Sequence, residues 1–145
     1  MHVSVIVTNH NYSRYLSQCL DSILEQTLRP MEIIIVNDNC SSDETRESHT
    51  ICELLNRYRQ AHIVVLDTSF GNVQMARDYG LNRASGEAIL FVDADNWLDR
   101  RFIGSSVTML ESLPPKCAGV YPAIHRTDGQ VIRGDTVQFW RRNMI

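Results

Sequence analysis

Two carboxylates, Asp93 and Asp95, stand one residue apart directly after the apolar run AILFV at residues 88–92. In an extended chain, the side chains of residues i and i+2 point to the same side, with Cα atoms about 6.6 Å apart. Like charges this close repel each other unless a cation neutralises them. Carboxylate oxygens suit Mg²⁺ or Mn²⁺, whose coordination is usually completed by water and substrate phosphates. The spacing predicts a divalent metal site for a phosphate-bearing ligand. An alternative, in which both aspartates cap a turn and a helix, is equally open.

Three further polar residues could take part in such a site. Asp38 ends the second apolar segment, where it could accept hydrogen bonds from a ligand or cap a turn. Arg77 lies near the small residues Ala76 and Gly80 on a predicted helix that could pack closely. Its guanidinium could bind a base or a diphosphate bidentately, or form an exposed salt bridge. His10 lies in the polar loop after the first apolar segment, and the histidines show no metal-ligand spacing among themselves.

The segments that must position these residues alternate between strand and helix patterns. Continuous β-branched and apolar runs predict buried strands at residues 3–8, 31–37, 62–66 and 87–92. Amphipathic spacing predicts a helix after each of the first three strands. The residues predicted to face inward from these helices are Leu16, Cys19, Leu20, Ile23 and Leu24; Ile51, Leu54, Leu55 and Tyr58; and Val73, Ala76, Gly80 and Ala84.

Local signals predict where several helices begin and end. Ser41 and Glu44 have the spacing of a capping box at the start of the second helix. The third helix is predicted from about residue 72 to residue 84, with a glycine stop shortly after it. Asp99 has the position of an N-cap for a fourth helix, which continues to Leu113 and is closed by two prolines.

This order of elements predicts an α/β fold with a mostly parallel central sheet flanked by helices. Residues 118–125 and 130–134 are predicted to form a C-terminal β-hairpin around an Asp-Gly turn. Right-handed crossovers bring the carboxyl ends of parallel strands to one edge, and ligands bind there where the strand order switches. Thr8, Asp38 and Asp93 all lie at predicted strand ends, so we expect them to meet in one crevice.

Length and composition exclude several classes of protein. A chain of 145 residues with 43% hydrophobic and 21% charged residues is typical of one globular domain. The formal net charge of −3 and the absence of a basic block argue against a nucleic-acid partner. Neither G-x-G-x-x-G after the first strand nor G-x-x-x-x-G-K-[ST] occurs. The sequence therefore lacks the main signatures of dinucleotide-binding proteins and of P-loop proteins. No apolar run approaches the length of a transmembrane helix.

The cysteines give an expectation about the cellular compartment. Cys19, Cys40, Cys52 and Cys117 include no C-x-x-C pair, so neither a zinc site nor a thioredoxin-type site is supported. Cys19 falls on the apolar face of a predicted helix, and the N-terminal residues alternate like a strand rather than a signal peptide. We therefore expect a reduced, cytoplasmic protein. Peripheral association with the inner face of the membrane is an alternative on which the sequence is silent.

Three segments together resemble the family-2 glycosyltransferases with the GT-A nucleotide-binding fold. VSVIVTNHN is similar to the family's opening VSVIIPTYN, and CLDSILEQTLRPMEIIIVNDNCSSDET is similar to its L-x-SIL-x-QT…EIIVVDDGSTDET. QMARDYGLNRASGEAILFVDADN resembles ARN-x-GL-x-x-A-x-GEYI-x-FLDADD. The match runs from residue 3 to about residue 100. Three segments in order at the right separations are specific.

The resemblance implies transfer of a sugar from a nucleoside diphosphate sugar, commonly a UDP-sugar, to an acceptor hydroxyl with inversion. Mn²⁺ or Mg²⁺ would bridge the diphosphate, and the acceptor would be a saccharide or a lipid-linked saccharide of surface polysaccharide assembly. The implied nucleotide-sugar-binding residues are Thr8, Asn9, His10, Asp38, Arg77 and Asp93, and the implied metal ligands are Asp95 and Asp93.

The resemblance also assigns a role to most of these positions. Thr8 would lie near the base, and Asp38 would hydrogen-bond the base or the ribose. Arg77 would lie beside the nucleotide, Asp93 would contact the ribose or the metal, and Asp95 would ligate the metal.

The sequence departs from the family pattern at several of these positions. Asn37 replaces the first aspartate of the usual pair, which removes one negative charge, and His10 stands where tyrosine is common. Asn39 and Cys40 replace Gly-Ser, and Asn96 replaces the second aspartate after Asp-Ala-Asp. None of these changes removes Asp38 or Asp95.

No convincing catalytic base lies between residue 104 and the C-terminus, and the family's catalytic domains usually continue further. We therefore interpret residues 1–145 as a single GT-A nucleotide-sugar-binding domain that ends before the acceptor-binding half. An alternative function is a catalytically silent nucleotide-binding or regulatory module. A phospho-acceptor receiver domain is not favoured, because the first strand ends in TNHN without an acidic pair and Lys116 is the only lysine.

Overall fold

The computed structural model describes residues 1–38, 44–120, 123–125, 131–133 and 138–144. The elements alternate between strand and helix as the sequence predicts. The strands are β1 (Val3–Asn9), β2 (Glu32–Asp38), β3 (Ile63–Thr68), β4 (Ala88–Asp93), β5 (Gly119–Val120), β6 (Ala123–His125), β7 (Val131–Arg133) and β8 (Gln138–Arg141). The helices are α1 (Ser13–Leu24), α2 (Glu44–Arg57), α3 (Val73–Arg83) and α4 (Phe102–Ser112), and a 3₁₀ turn follows at Arg142–Met144.

A six-stranded sheet with the order β3-β2-β1-β4-β8-β5 forms the centre of the fold. The first four strands in this order are parallel, whereas β8 runs antiparallel to both β4 and β5. The predicted mostly parallel sheet is therefore confirmed.

A separate two-stranded sheet, β6 with β7, confirms the antiparallel pairing of the predicted hairpin. The Asp-Gly turn that would join its strands lies outside the described residues. Gly119 and Val120, which the sequence assigned to the same hairpin, instead form β5 and pair with Trp140 and Phe139 of β8. This part of the prediction was wrong because β8, a four-residue strand, was not predicted at all.

Helices cover both faces of β1, β2 and β4, which explains why those strands have continuous apolar sequences. The third strand was predicted to be buried as well, but β3 is only partly buried because it lies at the edge of the sheet. Val5 and Val7 of β1 belong to the cluster formed with α1 and α4, and Ile6 belongs to the cluster formed with α3. The predicted inward residues of α1 are fully buried from Leu16 to Ile23, and Leu24 is partly buried. Within the described ranges, no helix is both long and apolar enough to cross a bilayer.

The start of α3 and the start of α4 both correct the sequence predictions. In α3, Ala76, Gly80 and Ala84 are buried as predicted, but Val73 is 53% exposed because it begins the helix at the open edge of the sheet. Asp99 is not the N-cap of α4: its carboxylate accepts a bond from the Arg101 amide at 2.9 Å, and the helix begins three residues after it. Ser41, the proposed capping partner of Glu44, lies outside the described residues.

A close approach between α3 and the sheet depends on Gly80. A Cβ atom at this position would lie 2.6 Å from Cγ2 of Ile6 and 3.0 Å from Cγ2 of Val36. Both contacts are with side chains that are fully buried in the strands beneath, so these neighbours have little freedom to move away. The missing side chain therefore sets how near α3, and Arg77 on it, can come to the sheet.

The substitution Gly80→Ala is expected to lower the free energy of unfolding by about 1–3 kcal/mol, because the added methyl group overpacks the interface. Gly104→Ala in α4 is the matched control. A Cβ atom there would meet Thr27 Oγ1 at 3.6 Å, an ordinary contact. It should be neutral or stabilise by up to about 1 kcal/mol through helix propensity. Urea denaturation of both variants measures the difference. Equal effects would contradict the packing argument.

Glu32 stabilises the end of the sheet opposite the predicted crevice, where the amino ends of β1 and β2 lie. Its side chain is buried, and Oε1 accepts hydrogen bonds from Ser4 Oγ at 2.5 Å, Ser85 N at 2.8 Å and Ser85 Oγ at 2.8 Å. Burial alone would raise the pKa of Glu32, but these hydrogen bonds to the charged form outweigh it and bring the pKa below its ordinary value. The carboxylate thereby holds the loop that follows α3 against β1 and β2.

The lowered pKa of Glu32 means that its contribution to stability is present above the unfolded-state pKa and is lost as the pH falls through the folded-state pKa. Glu32→Gln should therefore lower stability at pH 7 by about 1–3 kcal/mol and flatten the fall in stability below about pH 4.5. Thermal melts of wild type and variant between pH 3 and 7 test this. Glu25→Gln, on an exposed side chain, is the control. An unchanged acid limb in Glu32→Gln would refute the assignment.

Candidate functional site

The crevice lies where the strand order switches between β1 and β4. After β1 the chain enters β2 on one side, and β4 is added later on the other side, with Thr8 of β1 directly opposite Asp93 of β4. Thr8 Oγ1 donates a hydrogen bond to Asp93 Oδ1 at 2.7 Å. The carboxyl ends of these two strands thus meet as the sequence predicts, at the place where open α/β sheets bind ligands.

Asp93 is held by a cation as well as by the threonine. Arg77 Nη2 lies 3.0 Å from the same Oδ1 atom, and both side chains are partly buried, with 17% of Arg77 and 34% of Asp93 exposed. The Arg77 guanidinium also lies over the Phe91 ring, 5.9 Å from its centre. Its buried Nε has no hydrogen-bond acceptor among the described residues. The structure therefore places Arg77 against Asp93, and a direct contact with a ligand stays a prediction.

Asp95 lies in the tight turn that follows β4. Ala94 N donates to Thr8 O at 3.0 Å, and Asn96 N donates to Asp93 O at 2.9 Å, so backbone bonds close this turn. The Asp95 side chain is exposed and makes no hydrogen bond or ion pair with the described residues. Within the described part of the chain, neither carboxylate caps a helix, since α4 begins only at Phe102. The simple capping interpretation therefore loses its structural support.

Asp38 lies on the other side of β1, at the end of β2. It is 3% exposed, and its Oδ1 accepts hydrogen bonds from Thr68 Oγ1 at 3.1 Å and Phe70 N at 2.5 Å. His10 Nδ1 is 2.7 Å from the Asp38 backbone oxygen and 3.7 Å from Oδ2. The His10 side chain is 51% exposed, so the ring has one edge on the protein and the other towards solvent. Asp38 therefore orders the loop before α3 and keeps its second oxygen near His10.

A cleft of about 290 Å³ joins these residues. Of the predicted site residues, Thr8, Asn9, His10, Asp38, Asp93 and Asp95 line it, and Arg77 does not. The lining residues that the sequence analysis did not predict as part of the site are Tyr12, Gly71, Asn72, Val73, Ala76 and Ala94. Gly71 has a positive φ of 62°, and the Asn72 side chain caps α3, so the short sequence Phe-Gly-Asn was the available signal for this wall.

Two larger hollows lie elsewhere on the surface and lack paired carboxylates at strand ends. One, of about 480 Å³, lies between Arg29 and His62 at the amino ends of β2 and β3. The other, of about 640 Å³, lies between Met1 and Arg142. Volume alone would favour these hollows, but the switch point and the carboxylates favour the smaller cleft.

The carboxylates of Asp93 and Asp95 act on a buried thiol beneath the cleft. The thiol of Cys19 lies buried beneath it and contacts the Asp93 backbone oxygen at 3.9 Å. Burial, together with the nearby charges of Asp93 and Asp95, raises the pKa of Cys19 to about 12. The same two carboxylates would repel an anionic diphosphate, and Arg77 pairs with only one of them, so a cation bound with the diphosphate would reduce the repulsion.

The donor atoms present suit an incomplete metal site. No three histidine, cysteine or acidic side chains are gathered around a common point in the described part of the chain. Asp93 and Asp95 nevertheless offer hard oxygen atoms beside an open cleft. Mg²⁺ and Mn²⁺ sites often use one or two carboxylates and take their remaining ligands from water and phosphate. The two residues therefore fit a metal that arrives with a phosphate-bearing ligand.

The fold is that of the GT-A glycosyltransferases, as comparisons with known proteins show. The model of the family "Glycosyl transferase family 2" matches residues 4–143, so the chain belongs to this family. Glycosyltransferase GlyA of Streptococcus pneumoniae is 36% identical over 101 residues, which cover 70% of this chain and 14% of that protein. The uncharacterised glycosyltransferase EpsJ of Bacillus subtilis is 37% identical, with 66% and 26% covered. The chain thus spans about a quarter or less of these two relatives.

Solved structures show the same architecture. The crystal structure of Staphylococcus aureus TarS residues 1–349 has a TM-score of 0.63 and 28% identity over 77% of this chain and 32% of that one. TarS has also been crystallised with UDP and with UDP-GlcNAc. The mannosyltransferase PcManGT of Pyrobaculum calidifontis, in complex with GDP-Man and Mn²⁺, has a TM-score of 0.68 at 22% identity. The match covers 81% of this chain and 34% of PcManGT, and at this identity it supports the fold alone.

The ion pair between Arg77 and Asp93 can be tested without any ligand. Arg77→Gln should lower the free energy of unfolding by about 1–3 kcal/mol, because it leaves a partly buried carboxylate without its cation. Arg83→Gln on the same helix is the control, since Arg83 is exposed and, among the described residues, contacts the ring of Tyr79 and bonds its hydroxyl at 3.2 Å. Chemical denaturation compares the two. If both variants lose the same stability, the pair does not anchor the site.

Proposed function

We propose that this chain binds a nucleoside diphosphate sugar, specifically a UDP-sugar. The sugar is transferred to an acceptor hydroxyl with inversion at the anomeric carbon, and UDP is released. The observation that carries the proposal is the pair Asp93 and Asp95 at the β1–β4 switch point, with Asp93 held by Thr8 and Arg77. Family membership supports sugar transfer, and the TarS complexes with UDP and UDP-GlcNAc support the choice of donor.

The cleft divides into two ends with different chemistry. Asp38 and His10 form the end away from the acidic turn, where carboxylate and ring atoms can pair with the N–H and hydroxyl groups of a base and ribose. Thr8 and Asn9 lie along the β1 edge beside them. In this arrangement the base and ribose occupy the Asp38 end and the diphosphate lies over Asp93 and Asp95.

Asp95 and the second oxygen of Asp93 would hold Mn²⁺ or Mg²⁺. The bound metal would act as a Lewis acid that stabilises the charge developing on the departing diphosphate. Asp95 has the exposure that this role needs, because it makes no bond with the described residues that a metal would have to break. Thr8 and Arg77 keep the Asp93 carboxylate in one orientation, which lowers the cost of ordering it when donor and metal bind.

None of the residues named above is assigned to the acceptor or to the catalytic base. We propose that the chain forms one donor-binding domain and that its acceptor is a saccharide or lipid-linked saccharide. The relatives are several times longer than the matched segment, which leaves room in them for an acceptor-binding part. Membership of a transferase family favours sugar transfer over a catalytically silent nucleotide-binding module.

Calorimetry against UDP, GDP, CDP and ADP, each with and without Mn²⁺, tests donor binding. We expect UDP to bind with Mn²⁺ and to lose at least about tenfold in affinity without it, because the phosphates then face Asp93 and Asp95 unscreened. Asp95→Asn should remove most of the metal dependence. Asp78→Asn is the matched control, since Asp78 is exposed on α3 and bonds Gln74. A chain that binds none of the four nucleotides would refute the proposed function.

Slow hydrolysis of the donor distinguishes an enzyme from a silent binding module. We expect Mn²⁺-dependent release of UDP from a UDP-sugar, and we expect Asp95→Asn to lose it. Chromatographic assay of UDP over hours measures the release. If UDP binds but no UDP-sugar is hydrolysed, the result would instead support the silent module.

A further inference from the structure

A row of three polar side chains crosses the sheet beneath the Asp38 end of the cleft. Asn9, Asn37 and Asp67 occupy directly opposite positions on β1, β2 and β3. Asn9 Nδ2 donates to Asn37 Oδ1 at 2.8 Å, and Asn37 Nδ2 donates to Asp67 Oδ1 at 2.8 Å. The two asparagines are completely buried, whereas Asp67 lies at the exposed edge strand. The row is therefore a continuous hydrogen-bonded chain that begins in the core and ends at solvent.

The side-chain chemistry in this row is complementary when one of positions 37 and 67 carries an amide and the other carries a carboxylate. The Asn37 amide is an acceptor towards Asn9 and a donor towards Asp67, and an amide can be both at once. A carboxylate at position 37 would still accept from Asn9, but it would face the Asp67 carboxylate with no proton between them. Two carboxylates at that separation cannot both be ionised without a large cost. Asn37 and Asp67 are thus matched to each other.

The row is connected to the cleft wall at two places, Tyr12 and Asp38, and it reaches Asp38 by two routes. Asn9 Oδ1 accepts the Tyr12 backbone N–H at 3.2 Å, and both residues line the cleft. Asn37 immediately precedes Asp38, and Asp67 immediately precedes Thr68, whose hydroxyl binds the Asp38 carboxylate. A displacement of Asn37 is therefore expected to displace Asp38, Thr68 and the loop after β1.

We propose that the Asn9–Asn37–Asp67 row is a positioning device for the base-and-ribose end of the cleft, in which the Asp67 carboxylate fixes the orientation of the Asn37 amide. Asn37 acts through its neighbours, so it is a positioning residue rather than a ligand-binding one. This inference rests on the proposed function, since nucleotide affinity is its readout.

A charge swap tests the row. Asn37→Asp should weaken UDP binding in the presence of Mn²⁺ by about tenfold at pH 7.5, the order expected when one hydrogen bond of the wall is lost. The double variant Asn37→Asp/Asp67→Asn restores one carboxylate and one amide in reversed order, and its affinity should return to within about twofold of wild type. Calorimetry measures all three proteins, and melting temperatures are recorded beside the affinities.

The pH dependence gives a signature that a general loss of packing would not produce. In Asn37→Asp a shared proton would relieve the repulsion, so the ratio of variant to wild-type affinity should recover as the pH is lowered from 8 to 5.5. His10 and Asp38, the other titratable groups that face this end of the cleft, are common to both proteins and largely cancel in the ratio. The double variant should show no such trend.

The outcomes separate this inference from the proposed function. If wild type does not bind UDP, the proposed function fails. If wild type binds but Asn37→Asp binds equally well, or if the double variant is as weak as the single one or does not fold, the inference fails alone. Melting temperatures that fall while the affinities of the folded proteins stay equal would also overturn it, because the row would then be merely structural. If Asn37→Asp itself does not fold, the affinity of the double variant decides.

Discussion

The contact on which the site depends is the one that holds Asp93 at the end of β4. A carboxylate that follows a buried apolar strand must be solvated, paired or bound to a cation. Here one oxygen receives both the Thr8 hydroxyl and the Arg77 guanidinium, which come from β1 and α3. The contact joins β1 to α3 and β4, two consecutive elements that lie far from β1 in the sequence, so it can form only when the sheet and the helix are both in place. Its second consequence is functional, because Asp95 is left exposed beside an oriented neighbour.

Packing places the arginine that makes this contact. Arg77 reaches the sheet edge because α3 sits close on β1 and β2, where Gly80 lies against the Ile6 and Val36 side chains. The same helix is capped by Asn72, whose side chain accepts the Gln74 and Met75 amides and fixes the wall of the cleft. Core packing and the electrostatics of the site are therefore joined in one helix, and a change in the first is expected to appear in the second.

Much of the site could be predicted from the sequence, because strand ends in a parallel sheet converge by topology. The positions of Asp38 and Asp93 follow from two apolar runs that stop at an acidic residue, and both line the cleft. The partner of Arg77 could not be predicted, because that requires the distance between α3 and the sheet. Val73 was wrongly placed inward because helical spacing does not reveal where a helix leaves the core. The strand β8 was missed because four residues with an arginine at the end carry little periodic signal.

The most direct test of the account is the location of the metal, which Mn²⁺-induced broadening of amide signals in two-dimensional NMR would measure in the presence of UDP. We predict the strongest broadening at the amides of Ala94, Asp95 and Asn96 in the turn after β4, with weaker effects at the end of β1. Signals near Arg29 and His62, at the opposite edge of the sheet, should be unaffected. Broadening centred on that opposite edge, or broadening around Asp95 that UDP does not change, would contradict a site in which metal and diphosphate bind together.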